Sequence, residues 1–163
     1  MEEKIMEKKY VWYASYGSNM LEERFMCYIK GGYFAPNDRH YDGCKDKTPP
    51  LDSMPVIIPY EMYYGQSSPS WQDSGVSFID TDVPGHSLGR MYLITEEQFK
   101  DIHKAEGPSA CWYDLVVNFG EFDGHPLMTF TNSTRREENE PSKEYLKVIQ
   151  MGVSEMFPAL KLG

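Results

Sequence analysis

The stretch from Tyr10 to Gly31 constrains the fold more than any other part of the chain. Tyr10-Val11-Trp12-Tyr13-Ala14-Ser15 is aromatic and β-branched enough to be a strand. Leu21, Phe25, Tyr28 and Ile29 then fall at i, i+4, i+7 and i+8, one face of a helix, and Gly31 stands where that helix needs a left-handed stop. The turn between them is Tyr16-Gly17-Ser18-Asn19. Gly17 suits either a positive φ or a close approach of another group to the backbone, and Asn19 with Glu22 three residues on matches a capping box. Such a corner leaves N–H groups free at the positive end of a helix dipole, a seat for a carboxylate or a developing oxyanion. A well-capped helix without a ligand would have the same sequence.

Length and composition narrow the classes. The 163 residues, 40% of them hydrophobic, predict one domain over 1–163 with a charged extension from Met1 to Lys9. Sixteen basic residues against twenty-five acidic ones give a net charge of −9, and no basic cluster stands out, so nucleic acid and anionic membranes are not expected partners. The charged start carries no apolar signal segment, and no apolar run approaches a membrane span. Cys27, Cys44 and Cys111 are odd in number and widely spaced, which suits a reducing compartment. The expected location is cytoplasmic. Oligomeric state is not legible.

Along the chain, residues 31–53 read as a long loop, and Met54 to Tyr64 as a strand whose Pro55 and Pro59 argue for an edge or a bulge. Gln66 to Ser74 is turn chemistry around Trp71. Gly75 to Ile79 and Leu88 to Ile94 read as two short strands, separated by turn-like Asp80 to Gly85. Thr95 and Gln98 form a capping box that opens a helix, on which Phe99, Ile102 and Glu106 share a face before Gly107-Pro108 ends it. Glu106 is therefore expected inward, where desolvation and the helix C-terminus both raise a carboxyl pKa toward general acid/base use. A frayed last turn would instead leave it in water. Trp112 to Phe119 and Leu127 to Thr131 predict a hairpin around Asp123-Gly124, and Ser133 to Glu140 a charged loop. A final helix after Pro141 carries the stripe Tyr145, Val148, Ile149, Gly152 and Met156.

Other motifs are weaker. Gly85-His86-Ser87-Leu88-Gly89 matches a serine nucleophile elbow in letters only, because a turn precedes it and a strand follows. His40, His86, His103 and His125 have no metal-ligand spacing, and no Gly-rich loop ends in Gly-Lys-Ser or Gly-Lys-Thr, so neither a metal nor a nucleotide is expected. Cys111 reads as a small buried hydrophobe.

Tyr16-Gly17-Ser18-Asn19-Met20, preceded by an aromatic strand, resembles the signature loop of the gamma-glutamylcyclotransferase-like family. Gly89-Arg90-Met91-Tyr92-Leu93-Ile94 and the helix ending in Glu106-Gly107 resemble its second block, and Tyr113 matches a position near the family's site. Trp71 ahead of Gly75 is similar to a family turn, and the likeness runs from about residue 10 to about residue 119. The segment between Gly31 and Ser53 is longer than the resemblance would predict. The implied fold is α+β, a small mixed β-barrel of antiparallel and parallel strands with helices packed outside. The implied reaction closes a γ-glutamyl amino acid or amine to 5-oxoproline and expels the amino acid or amine. Glu106 would be the catalytic acid/base, and Tyr16, Gly17, Ser18, Asn19 and Tyr113 the substrate-binding residues, with no cofactor. The alternative is a non-catalytic module that binds a small amino-acid-like ligand in the same pocket.

Overall fold

A computed structural model describes residues 8–158. The elements in order are β1 (Tyr10–Ser15), a 3-10 turn at Ser18–Met20, α1 (Glu22–Lys30), β2 (Gly32–Phe34), β3 (Arg39–Tyr41), β4 (Asp52–Ser68), β5 (Ser74–Thr95), α2 (Glu96–Glu106), β6 (Leu115–Phe122), β7 (His125–Thr131) and α3 (Lys143–Met156). Five strands form one sheet in the order β4-β5-β1-β7-β6, while β2 and β3 pair separately. The β1–β7 pair is parallel and the others in the main sheet are antiparallel, so the sheet is mixed, as expected.

β1 is central because it has apolar residues for both faces. Val11 and Tyr13 enter the larger core under the helices, with Phe25, Ile29, Tyr92, Phe99 and Phe130. Trp12, Ala14 and Tyr16 enter a second core on the other face, with Ile58, Ile79 and Met91. The sheet curls around this second core. Tyr60 of β4 and Phe119 of β6, from the two ends of the strand order, approach to 6.1 Å between ring centroids. Closure is thus made by side chains, and the ladder itself stays open between β4 and β6 among the described residues. The α+β class holds, with a curled sheet in place of a hydrogen-bonded barrel.

Several elements differ from their sequence reading. The two short strands expected at 75–79 and 88–94 belong to one strand of 22 residues. The turn-like segment between them is absorbed by a bulge: Glu61 pairs with Asp80 but Tyr60 with Pro84, so 81–83 bow out without breaking the ladder to β4. Pro59 sits at a register shift of β4, an end strand of the sheet, so the edge and bulge readings both apply. The 31–53 loop contains the β2–β3 hairpin and seats Phe34 and Cys44 in the core. The strand expected from Trp112 begins at Leu115, with Trp112 and Tyr113 in the turn before it. Cys111 is exposed, whereas Cys27 and Cys44 are buried free thiols. On α3, Val153 is buried and Met156 only partly so. The expectation for residues 1–7 lies outside the described residues. No helix among the described residues is long and apolar enough to cross a membrane.

α3 is held against the turn at 18–20 by the absence of a side chain. A Cβ on Gly152 would lie 2.6 Å from the Leu21 nitrogen and 2.7 Å from the Met20 carbonyl carbon, both backbone atoms that cannot step aside. In a free helix, Gly→Ala stabilises by roughly 1 kcal/mol. Here the sign should reverse. Gly152→Ala is expected to destabilise the protein by about 1–3 kcal/mol, the usual range for overpacking, in chemical denaturation.

Candidate active site

Glu106 ends α2, and the capping box that starts this helix is complete: Gln98 N–H donates to Thr95 Oγ1, and Thr95 N–H to Gln98 Oε1. With the start fixed and Phe99 and Ile102 buried, the last turn is directed back toward β1. The Glu106 side chain faces the turn at 16–19, and Asn19 Nδ2 donates to its Oε1 at 3.1 Å. The same amide also donates to the Tyr13 hydroxyl at 3.2 Å. Tyr13 is stacked between Phe25 (5.7 Å) and Phe130 (5.5 Å), so Asn19 stands on a fixed aromatic column.

This use of Asn19 corrects one expectation. Asn19 and Glu22 form no capping box: Leu21 is the N-cap of α1 and no side chain caps it. Ser18–Met20 instead make a separate 3-10 turn, in which Met20 N–H donates to the Gly17 carbonyl and Leu21 N–H to the Ser18 carbonyl. The amides of Ser18 and Asn19 precede the first internal bond of that turn. Gly17 has φ −124°, so the left-handed option is not the one taken. It is needed for space, since a Cβ there would lie 2.8 Å from the Tyr145 hydroxyl and 3.0 Å from Ser77 Cβ.

One cavity of about 280 Å³ is lined by Tyr16, Gly17, Ser18, Asn19, Glu106 and Tyr113 together, which are all the residues singled out from the sequence. Their roles differ in kind. The Tyr16 hydroxyl donates to the Phe130 carbonyl at 2.7 Å, and the Tyr113 hydroxyl to the Ser77 carbonyl at 3.0 Å. Both hydroxyls are spent on backbone, so these rings present walls. Tyr145 from α3 accepts from Ser77 N–H at 2.9 Å and donates to Ser77 Oγ at 3.1 Å. Burial pushes its hydroxyl up to about 12, so it stays protonated.

Burial raises the Glu106 carboxyl above its ordinary range, and this outweighs the opposing pull of the Arg24 guanidinium, the Tyr28 hydroxyl, Asn19 and His103. Arg90 does not contribute. Its Nη1 pairs with Glu155 at 2.8 Å and donates to the Met20 carbonyl at 3.1 Å, on the far side of the turn. Ser87 donates to the Tyr60 carbonyl at 2.6 Å in the middle of β5 and has no helix behind it, so it is no nucleophile elbow. No cluster of metal-ligating side chains occurs among the described residues.

Sequence reasoning did not assign Arg24, Tyr28, Tyr41 or Trp71 to the site, although they line the same cavity. Arg24 left a signal. It lies three residues after Leu21 and four before Tyr28, inside the apolar stripe of α1, where a charged residue is out of place. Tyr41 left none, being carried in on the hairpin within 31–53.

A curled mixed sheet with this turn and this helix end is the gamma-glutamyl cyclotransferase fold. The comparisons bear that out. The chain superposes on a solved gamma-glutamyl cyclotransferase with a TM-score of 0.64 at 20% identity, over 91% of this chain and 81% of that one. An uncharacterized protein from Homo sapiens matches with a TM-score of 0.66 at 21% identity, over 94% of this chain and 83% of that one. YkqA from Bacillus subtilis gives 0.59 at 19% identity, over 93% of this chain and 51% of its own. Among curated sequences, Histone deacetylase 5 of Arabidopsis thaliana is 28% identical over 185 residues, covering 89% of this chain. The chain spans only 28% of that protein's length, and the deacetylase name describes the whole of it. No family model matches.

Two outcomes follow from the geometry. A carboxyl whose folded pKa is raised stabilises the fold most below its unfolded value, and that contribution is lost as pH rises through the folded value. Glu106→Gln is therefore expected to gain stability relative to the parent between pH 4 and pH 8, read by urea denaturation across that range. Gly17→Ala is expected to cost about 1–3 kcal/mol through its contact with Tyr145 and Ser77. Tyr145→Phe, which deletes the nearest atom, should recover part of that loss in the double variant.

Proposed function

We propose that this chain is a cyclotransferase that converts a γ-glutamyl amino acid or γ-glutamyl amine into 5-oxoproline and the free amino acid or amine. The observation that carries the reading is the Glu106 carboxyl, held 3.1 Å from Asn19 Nδ2 inside the cavity lined by Gly17, Ser18 and Asn19, with its pKa raised by burial.

In this scheme the γ-glutamyl group folds back so that its α-amine stands against its γ-carbonyl. Holding that conformer is the entropic part of the catalysis. Glu106 takes a proton from the α-amine, whose lone pair forms the new C–N bond. The carbonyl oxygen becomes an oxyanion, for which the N–H groups of the 17–19 turn are the donors. Collapse of the tetrahedral centre breaks the original amide bond, and Glu106 returns its proton to the departing nitrogen. No water is consumed, and one group acts first as base and then as acid. Tyr16 and Tyr113 shape the walls of the cavity. The chemistry calls on no metal or organic cofactor, and the partner it calls for is the small-molecule substrate.

A non-catalytic binder would use the same cavity. Two observations weigh against it: the acid is held with its proton affinity raised by burial, and Arg90, which could have neutralised it, is committed to Glu155. Glu106→Gln is expected to retain the parent's circular dichroism and to lose about 10²- to 10⁴-fold in turnover, the range for removing a general acid/base. The assay is 5-oxoproline release by mass spectrometry from a panel of γ-glutamyl amino acids and amines. The acidic limb of the parent's pH–rate profile should lie above the ordinary carboxylate range, since the base form is needed first. A panel without turnover would favour the binder.

A further inference from the structure

Arg24 is a buried cation with no use in the scheme above. Its residue exposure is 2%, although it lines the cavity. Nη2 donates to the Tyr28 hydroxyl at 3.0 Å, and Nε lies 3.5 Å from Ser18 Oγ. Nη1 is buried and has no hydrogen-bond partner among the described residues. Four rings enclose the guanidinium, with centroids at 4.5 Å (Tyr41), 4.7 Å (Tyr28), 5.1 Å (Phe34) and 5.6 Å (Trp71). Among the described residues no carboxylate forms an ion pair with it.

A guanidinium cannot shed its charge by losing a proton. Its burial without an ion-pair contact is unfavourable unless something else completes it. Aromatic faces offset part of that cost but leave the N–H donors unsatisfied. The missing group is an acceptor of negative charge that fits a planar fork, and a carboxylate is the closest match. Tyr28 fixes where such a group would sit. Its hydroxyl accepts from Arg24 and lowers the pKa of the Glu106 carboxyl, and all three residues line the same cavity.

We propose that Arg24 binds a substrate carboxylate, one that stands two bonds from a nitrogen handled by Glu106. The ligand's charge follows from the geometry of Arg24, and its identity rests on the γ-glutamyl reading. A γ-glutamyl amino acid carries two such groups: the α-carboxylate beside the attacking amine, and the carboxylate of the departing amino acid. The β2–β3 hairpin, which brings Phe34 and Tyr41 to the guanidinium, then has a recognition role and is more than a connection.

The test combines ligands and variants. With the parent protein, γ-glutamylalanine is compared with γ-glutamyl ethylamide, which lacks the departing carboxylate, and with the α-methyl ester of γ-glutamylalanine. Whichever loss weakens KM marks the carboxylate that Arg24 takes; equal KM for all three overturns the proposal without any mutation. Arg24→Gln is expected to raise KM by about 10- to 100-fold for ligands carrying that carboxylate, as for loss of one charge-assisted hydrogen bond, and by much less for the ligand without it. Arg24→Lys, which keeps the charge but loses the fork, should fall between. A folded Arg24→Gln with unaltered KM throughout overturns the proposal while the cyclotransferase reading stands. If the parent turns over none of the compounds, calorimetry with L-glutamate and 5-oxoproline decides the matter separately. Binding that is lost in Arg24→Gln sustains the carboxylate site without the reaction, and binding that is absent or indifferent to Arg24 removes it.

Discussion

The contact between the Asn19 amide and the Glu106 carboxylate joins the two halves of the site. One partner comes from the turn after β1 and the other from the end of α2, 87 positions later in the chain. Each is fixed independently before they meet. Asn19 stands on Tyr13 and its backbone carbonyl accepts from the Tyr92 hydroxyl at 2.7 Å, while α2 is locked at its start by the reciprocal Thr95–Gln98 bonds. The hydrogen bond therefore joins two rigid bodies, and the cavity is preorganised by the packing around it. Burial prevails at Glu106 because the Asn19 amide, the Tyr28 hydroxyl and the Arg24 and His103 charges together do not replace the hydration the carboxylate has lost.

The division of labour between the two faces of β1 explains how so small a sheet carries such a cavity. One face packs Trp12, Ala14 and Tyr16 against the curl of the sheet. The other stacks Tyr13 with Phe25 and Phe130, while Phe25 lies 3.9 Å from Tyr92. A strand satisfied on both sides has little freedom to shift register, since a one-residue slip would exchange the two sets. The turn that follows inherits that fixed position, and Gly17 lets α3 reach its backbone directly.

What could be read from the sequence was whatever local chemistry alone decides. The α1 stripe, the Thr95–Gln98 box and the inward angle of Glu106 depend on helical spacing and on residues three or four apart. That the glutamate and the turn are partners came from the resemblance of both stretches to the gamma-glutamylcyclotransferase-like family, before any distance was known. Features set by long-range pairing were hidden. Residues 80–85 have the composition of a turn, yet pairing with β4 carries them through a bulge. Asn19 and Glu22 have the letters of a capping box, but the Asn19 amide finds partners on Tyr13 and Glu106 instead. Arg24 lay in plain view as a charge within an apolar stripe, but apart from Tyr28 its aromatic surroundings come from two other segments, the β2–β3 hairpin and the turn at Trp71, that no periodicity connects.

The Tyr145 hydroxyl sits against Ser77 and closes the space beside Gly17, so the wall of the cavity unites positions 17, 77 and 145. Their separations along the chain make the completed pocket a long-range feature that exists only when α3 is docked. Without α3, the strand, the turn and Glu106 would border a groove open on one side. Competence to hold a small molecule is thus a property of the finished tertiary structure, since a chain from which α3 has detached lacks one wall of the cavity.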